Sequence, residues 1–562
     1  MTTTAPRART HTHADRPRAV ELVRGPTAHA ALESWRSRTV LLVSLLLPLL
    51  WLFVIGAIAG NEIYDESTGL RVMQFAAPTA IVMGAILASL PTVAISITDA
   101  RQSGVLKRLR GTPLPSWAYL LGRGLAAAAL AIVAVALAWA VAVLAYDVQI
   151  IWRTLFASIV TLVLAIACYI AIGLAISTLA RSTVVAQAVS IGGVLILAFI
   201  SELFTIGGSF PLVITRTADL LPVKPVSSAL QDQFNPYLTG SGWDGRAIAV
   251  LLIWLVLAAL VAVWGWPDRE RVFRSRRAKG TVEGEAGHET PAMHAGASST
   301  TTAMPVATVA GRPSDGALLG GQVRAALTSL WRDPVGLFFA IVMPLGLYAL
   351  MAGPNRDWST PDGIPLPTLL MASMTAWGVA YTMFSTVPEL VVRARERGVL
   401  KRLRGTPLRP ATYLTGRVIA GVVLSLVVAV LVVGFGAVAY GVDVTVVKVV
   451  LTAGLVILGA VVIAACGFLL AARVSSTKAF TALSLAILLP VAFFSDVFVA
   501  EAPDWMDRVG AIFPLLHLQH SLSDVLTGTG DVGTWWHVAV LVVWGVVASA
   551  LAVRLFRWGS RG

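Results

Sequence analysis

Gly104-Val-Leu-Lys-Arg-Leu-Arg-Gly-Thr-Pro-Leu114 recurs letter for letter as Gly398-Val-Leu-Lys-Arg-Leu-Arg-Gly-Thr-Pro-Leu408, 294 residues further on. Eleven identical residues at one offset mark a duplication. The flanks keep that offset: Arg101 and Arg395 precede the copies, and Tyr119 and Tyr413, Gly122 and Gly416, Arg123 and Arg417 follow them. Lys107, Arg108 and Arg110 in the first copy, and Lys401, Arg402 and Arg404 in the second, are interleaved with Val and Leu at helical spacing. The glycines and the Gly-Thr-Pro terminus set where a short helix begins and ends. Each copy lies between two long apolar runs. Charge alone holds a loop on one side of a bilayer, whereas a whole phrase kept through duplication asks for a partner that reads shape.

With 57% hydrophobic and 13% charged residues and a mean hydropathy of +0.79, the 562-residue chain has too little polar surface to cover a soluble globule. It reads as a polytopic membrane protein. A net charge of +13 would suggest nucleic acid in a soluble protein, but here the basic residues gather in loops and tails between apolar runs, which is a topology signal. Cys168 and Cys466 lie inside apolar runs and provide neither a disulfide framework nor metal-ligand spacing.

Runs near the roughly 20 residues that cross a hydrocarbon core fall at about 39–59, 73–97, 119–146, 155–180, 183–206 and 246–266, and again at about 335–352, 366–391, 413–440, 447–472, 477–499 and 534–555. The fold expected is an all-α polytopic membrane protein of twelve transmembrane helices in two homologous six-helix halves, each with an N-terminal interfacial helix. Arg and Lys crowd the N-terminal tail, both repeated loops, the segment from Arg269 to Lys279 and the C-terminus, whereas Glu62, Asp65 and Glu66 and Glu501, Asp504 and Asp507 occupy alternate loops. The positive-inside rule then places both termini in the cytosol of a cell-membrane protein. The expected divisions are 1–38 (tail and interfacial helix), 39–266 (first six spans), 267–316 (flexible linker rich in Gly, Ala, Ser, Thr and Pro), 317–333 (second interfacial helix), 334–555 (second six spans) and 556–562 (C-terminus). Trp35-Arg36 and Trp331-Arg332 mark the interfacial helices.

The second copy, with Arg395-Glu396-Arg397-Gly398 ahead of Leu400-Lys401-Arg402-Leu403 and Thr406-Pro407, resembles the signature loop of the permease subunits of type-2 ABC exporters, six-span proteins of bacterial drug, antibiotic and polysaccharide efflux. The likeness runs through both halves. It implies that each repeated loop is a coupling helix seated on an ATP-hydrolysing partner, and that two halves normally separate are fused here. On that reading the docking residues are Arg101, Gln102, Gly104, Lys107, Arg108 and Arg110 in the first half, with Arg395, Glu396, Arg397, Gly398, Lys401, Arg402 and Arg404 in the second. The first copy departs from the pattern at Gln102, where the family has glutamate, and at Asp99, where the second copy has Arg393; this predicts an asymmetric pair. No lysine follows a glycine, so no phosphate-binding loop exists, and Leu318-Leu-Gly-Gly-Gln322 imitates an ATPase signature without one. The chain is then not itself an enzyme and binds no cofactor; ATP and Mg belong to a partner ATPase, expected in two copies.

The resemblance also implies alternating access, with the first, second and fifth spans of each half lining the path. Candidate lining residues are Met73, Gln74, Met83 and Phe199, with Met371, Met374, Trp377, Phe384 and Phe494, side chains that adapt to varied apolar ligands. No ladder of ionisable residues crosses the membrane, which favours a lipophilic or amphipathic small-molecule cargo drawn from membrane lipid. Glu202 and Asp496, 294 apart at the outer ends of spans five and eleven, are candidates for an outer gate. His517 and His520 lack a third ligand, so no metal site is expected. The alternative is a major-facilitator-type secondary transporter, which shares the twelve spans and to which Asp99-Ala-Arg101-Gln-Ser-Gly104 bears a distant likeness, though at the wrong spacing.

Overall fold

The computed structural model describes residues 19–265 and 314–555, apart from positions 59, 66–68, 110, 113, 204–211, 362, 404, 407, 499–502 and 530–531. The expected linker before Ser314, the first eighteen residues, residues 556–562, and Arg110 and Arg404 of the repeated loops lie outside the described residues.

The first half opens with α1 (Ala19–Arg36). It continues through α2 (Arg38–Leu41), a π turn (Leu42–Leu46) and α3 (Leu47–Ile58) into α4 (Val72–Gln102). Then come α5 (Val105–Leu109), α6 (Ser116–Tyr146), α7 (Trp152–Leu179), α8 (Thr183–Ile200), α9 (Leu212–Ala218), α10 (Lys224–Phe234) and α11 (Gly245–Gly265). The second half repeats the order. Helix α12 (Asp315–Trp331) leads to α13 (Pro334–Leu337), a π turn (Phe338–Val342) and α14 (Met343–Ala352). Next are α15 (Leu366–Ala380), a π turn (Tyr381–Thr386) and α16 (Val387–Glu396). They are followed by α17 (Val399–Leu403), α18 (Pro410–Tyr440), α19 (Val446–Arg473), α20 (Thr477–Phe493), α21 (Asp504–Gly510), α22 (Pro514–Thr527) and α23 (Val532–Leu555). A short antiparallel pair, Ile63–Asp65 with Leu70–Arg71, lies in the connection between α3 and α4.

Among the described residues nine helices are long and apolar enough to cross a membrane, against the twelve crossings expected from sequence. Where the other three were expected, shorter apolar stretches stand at Ser44–Ala57 and Ala479–Phe493, and the run from Leu366 to Glu396 is broken by its π turn. Spans five and eleven stop short of the expected 206 and 499 for a local reason. Glu202 and Asp496 adopt left-handed backbone, φ +61° and +54°. Just beyond them the Leu203 amide reaches back to the Ala198 carbonyl at 2.9 Å and the Val497 amide to Ala492 at 3.1 Å. This is the hydrogen-bond pattern that ends helices at glycine, here built on an acid.

The interfacial helices begin earlier than Trp35 and Trp331 suggest. Helix α12 starts at the Ser314 cap, whose Oγ accepts from the Ala317 amide at 3.2 Å. Each packs across the third span of its half at a glycine: a Cβ on Gly122 would stand 2.7 Å from Pro26, and one on Gly416 2.7 Å from Gln322. The same close approach, at duplicated positions, fixes both crossings.

Each half has its own buried core around its second span, α4 in one and α15 with its π turn in the other. The two cores meet along a seam. Helix α8 packs against α13 and α14, and α20 against α2 and its π turn, so span five of each half lies on span one of the other.

Candidate functional site

Both repeated loops are short helices set between glycine hinges, and the hinge glycines Gly104 and Gly398 hold φ +74° and +70°, a conformation that excludes most side chains. The structure divides the expected docking residues into two groups. Arg101 turns inward, its guanidinium on the carbonyls of Ala180 and Thr178; Arg395 turns inward onto Ala471 and Val474. Gln102 Oε1 accepts from the backbone N–H and hydroxyl of Thr183, at 3.0 and 2.6 Å, and Glu396 Oε2 accepts from the same two groups of Thr477. These four side chains clamp the element to the turn between spans four and five and cap the first turn of α8 or α20. Lys107, Arg108, Arg397, Lys401 and Arg402 remain exposed. Among the described residues no acid pairs with Lys107, Arg108, Lys401 or Arg402.

Asp99 and Arg393, the other departure between copies, have different surroundings. Arg393 bridges Glu389 at 2.6 Å and Asp333 at 3.5 Å, and Glu389 also accepts from the Thr481 hydroxyl at 2.9 Å. This network joins the ends of spans seven, eight and eleven; positions 95 and 187 of the first half carry Ile95 and Gln187 where Glu389 and Thr481 stand.

A second feature lies at the seam. It is an apolar cavity of about 150 Å³ lined from both halves by duplicated positions: Met83 and Trp377, Leu87 and Tyr381, Leu195 and Leu489, Phe199 and Phe493. Leu47 and Met343, each ahead of the proline shared by spans one and seven, face it as well. Three of the residues expected on the path, Met83, Phe199 and Trp377, line this cavity. The others lie elsewhere. Met73, Met371 and Met374 are buried within the cores of their own halves. Phe384 packs against the second core. Gln74 is held by the carbonyls of Gln149 and Phe234 and the amide of Gln149. Phe494 meets Trp505, ring centroids 6.1 Å apart. Sequence reasoning missed Leu87, Tyr381, Leu489 and Phe493, although carrying Phe199 forward by the 294-residue offset leads directly to Phe493.

At the ends of α8 and α20, Glu202 accepts from Lys224 Nζ at 3.0 Å, whereas Asp496 pairs with His520 Nε2 at 2.9 Å. Asp507 adjoins Asp496, and burial, with that neighbouring carboxylate second, pushes the Asp507 carboxyl up to about 6. His517 and His537 share a 2.7 Å Nδ1 contact, with His517 Nε2 on the Ala511 carbonyl at 3.0 Å. Among the described residues no group of three or more His, Cys, Asp or Glu is placed to hold a metal ion.

Several long apolar helices, a buried core in each half and loops duplicated on one pattern define a multi-pass membrane protein. Residues 27–234 match the family described as ABC-2 type transporter, and residues 365–554 the one described as ABC-2 family transporter protein. One match in each half supports an ABC-2 permease of duplicated architecture, a transport subunit without its own ATPase site, and implies an ABC ATPase as partner. No curated protein matches the chain.

Proposed function

We propose that the chain is the complete transmembrane part of an ATP-driven exporter: twelve crossings with both termini cytosolic, divided as expected from sequence. In this reading it moves lipophilic or amphipathic small molecules out of the cell by alternating access, in the manner of drug and antibiotic efflux. ATP and Mg are handled by two ATPase copies docked on α5 and α17. The observation that carries the reading is the seam cavity. Its walls are apolar, it takes equivalent residues from both halves, and spans one, two and five of each half meet there.

The geometry supplies a route from motor to cavity. Span two carries the coupling element at its inner end and Met83 and Leu87 along its length; span eight does the same with Trp377 and Tyr381. The Gln102 and Glu396 caps tie the same element to the first turn of α8 and α20, which carry Phe199 and Phe493. A push on α5 or α17 thus reaches two lining spans at once. A cavity of about 150 Å³ is smaller than the roughly 300 Å³ at which pockets for drug-sized ligands begin. Passage of such a cargo therefore requires the two halves to part along the seam.

The test is co-purification. The permease alone is tagged and co-expressed with its neighbouring ATPase, and Arg402→Glu and Arg108→Glu are compared with the parent for bound ATPase and ATP turnover. The expected result is a stoichiometric complex that each reversal weakens at least tenfold, since like charge facing a complementary patch costs several kcal/mol. A parent chain that holds no ATPase and stops transport only when the proton gradient collapses would sink the reading.

A further inference from the structure

We infer that the seam cavity has two unlike faces, and that the second-half face recognises a hydrogen-bond acceptor, a carbonyl or ether oxygen, on an otherwise apolar, uncharged cargo. This deepens the exporter reading and rests on it.

The duplication provides an internal control, because each lining position has a counterpart. On span two the face is Met83 and Leu87, and on span eight it is Trp377 and Tyr381; span one of the first half adds Trp51. Trp377 is only 1% exposed, and its indole Nε1 is buried with no hydrogen-bond partner among the described residues. A buried donor left without an acceptor is costly, and interiors nearly always supply one. In the same half the Tyr348 hydroxyl donates to the Pro367 carbonyl at 2.9 Å, and that of Tyr440 to Ala349 at 3.0 Å. Turning the Trp377 ring to find a partner would break its tilted contacts with Phe498 and Tyr381, at 5.0 and 6.1 Å between centroids.

Further polar groups lie behind the wall. The π turn begins at Tyr381, and within it the hydroxyls of Thr382, Ser385 and Thr386, which do not line the cavity, are buried without partners among the described residues. The first-half counterparts of Thr382 and Ser385 are Ala88 and Pro91, and that of Thr386 is Thr92, in a span that runs as unbroken α-helix from Val72 to Gln102. π turns inside α-helices concentrate at functional positions. Among the described residues no Asp, Glu, Lys, Arg or His lines the cavity. A charged cargo would find no counter-charge there, whereas a neutral molecule presenting an oxygen to Trp377 and its apolar body to Met83 satisfies both faces.

Two probes of nearly equal shape test this in lipid nanodiscs, acetophenone with its ketone and ethylbenzene without, both small enough for a cavity of this size. The tryptophans are labelled with 15N, the Trp377 indole signal is assigned by its loss in Trp377→Phe, and each probe is titrated against its free concentration. Acetophenone is expected to move the Trp377 N–H downfield and to bind about tenfold more tightly than ethylbenzene, the worth of one hydrogen bond to an otherwise unpaired buried donor. In Trp377→Phe, which keeps an aromatic ring but not the N–H, the preference falls to about twofold or less. In Met83→Leu both probes weaken together and the preference persists. An unmoved Trp377 signal, equal binding of the two probes, or a preference that survives Trp377→Phe each overturns the inference. Retention of the ATPase by the same variants is scored in parallel. A chain that holds its ATPase but ignores the ketone loses this inference alone, and a chain that never holds an ATPase loses the exporter reading.

Discussion

The corners at Glu202 and Asp496 share one backbone and differ in chemistry. In each, span five or eleven ends at an acid in left-handed conformation, Glu202 or Asp496, a strain of about 1 kcal/mol or more that glycine would avoid. The acid is kept for its side chain, which reaches a basic group on the helix that follows. In the first half that group is Lys224, and the corner is a simple ion pair. In the second it is His520, with Asp507 crowded against Asp496 and His517 against His537. The opposite ends differ in the same sense: the second half has the Asp333–Arg393–Glu389–Thr481 network, where the first half carries Ile95 and Gln187 at the positions of Glu389 and Thr481. Duplication preserved the frame and let one copy take on polar groups, which suits a pair in which one half is held more tightly than the other.

The largest test of that contrast is at the Arg393 network. Glu389→Ala removes the acid that Arg393 and Thr481 both use and leaves Arg393 with Asp333 at 3.5 Å. Breaking such a partly buried network is expected to cost about 3 kcal/mol. The matching change in the first half, Ile95→Ala, removes half-buried apolar surface and costs about 1 kcal/mol. Thermal unfolding of the purified chain in nanodiscs separates the two; equal losses would show that the network adds nothing to the second half.

A smaller effect is expected at the Asp496 corner, and it depends on pH. The folded protein holds the Asp507 carboxyl at about 6, against an ordinary 3.8. The groups facing it are Asp496, Asp504 and His520. With its pKa raised by folding, Asp507 binds a proton more tightly in the native state. Its contribution is therefore fully present below about pH 4, is lost as pH rises to about 6, and stays lost above that. Because Asp507 is partly open to solvent, the swing is discounted to about 1 kcal/mol. Asp507→Asn should remove the slope between pH 4 and 6, and an unchanged profile in that variant would clear Asp507 of any part in it.

What the chain announced in advance is what duplication and apolar length carry. The short helix in each repeated loop and the helix ahead of each half were legible because each is written twice, but the flanking helices run on to Gln102 and Glu396 where 97 and 391 were expected. What escaped depends on where a side chain turns after the backbone is placed. Arg101 and Arg395 look like docking charges by composition, yet they end on the carbonyls that close spans four and ten. Gln74 looks like a polar group on a path, yet its amide is spent on the outer loop. The π turn at Tyr381 leaves no mark in the sequence, since the 294-residue offset is the same before and after it.

The smallest and most discriminating change concerns Gln102, where sequence alone predicts a weaker docking contact. In the structure Gln102 Oε1 and Glu396 Oε2 make the same pair of hydrogen bonds, to the N–H and hydroxyl of Thr183 or Thr477, at the first turn of the following span. The amide loses no hydrogen bond relative to the carboxylate. It loses only the charge, which near the positive end of a helix is worth about 0.3–1 kcal/mol. Gln102→Glu is thus expected to stabilise the first half by about 0.5 kcal/mol and to change ATPase recovery less than twofold, and Glu396→Gln to do the reverse. Gln102→Ala and Glu396→Ala, which remove the cap outright, should each cost about 1 kcal/mol. If Gln102→Glu instead raised ATPase binding severalfold without altering stability, the residue would be facing the partner, and the asymmetry between the halves would lie at the docking surface rather than in the clamp behind it.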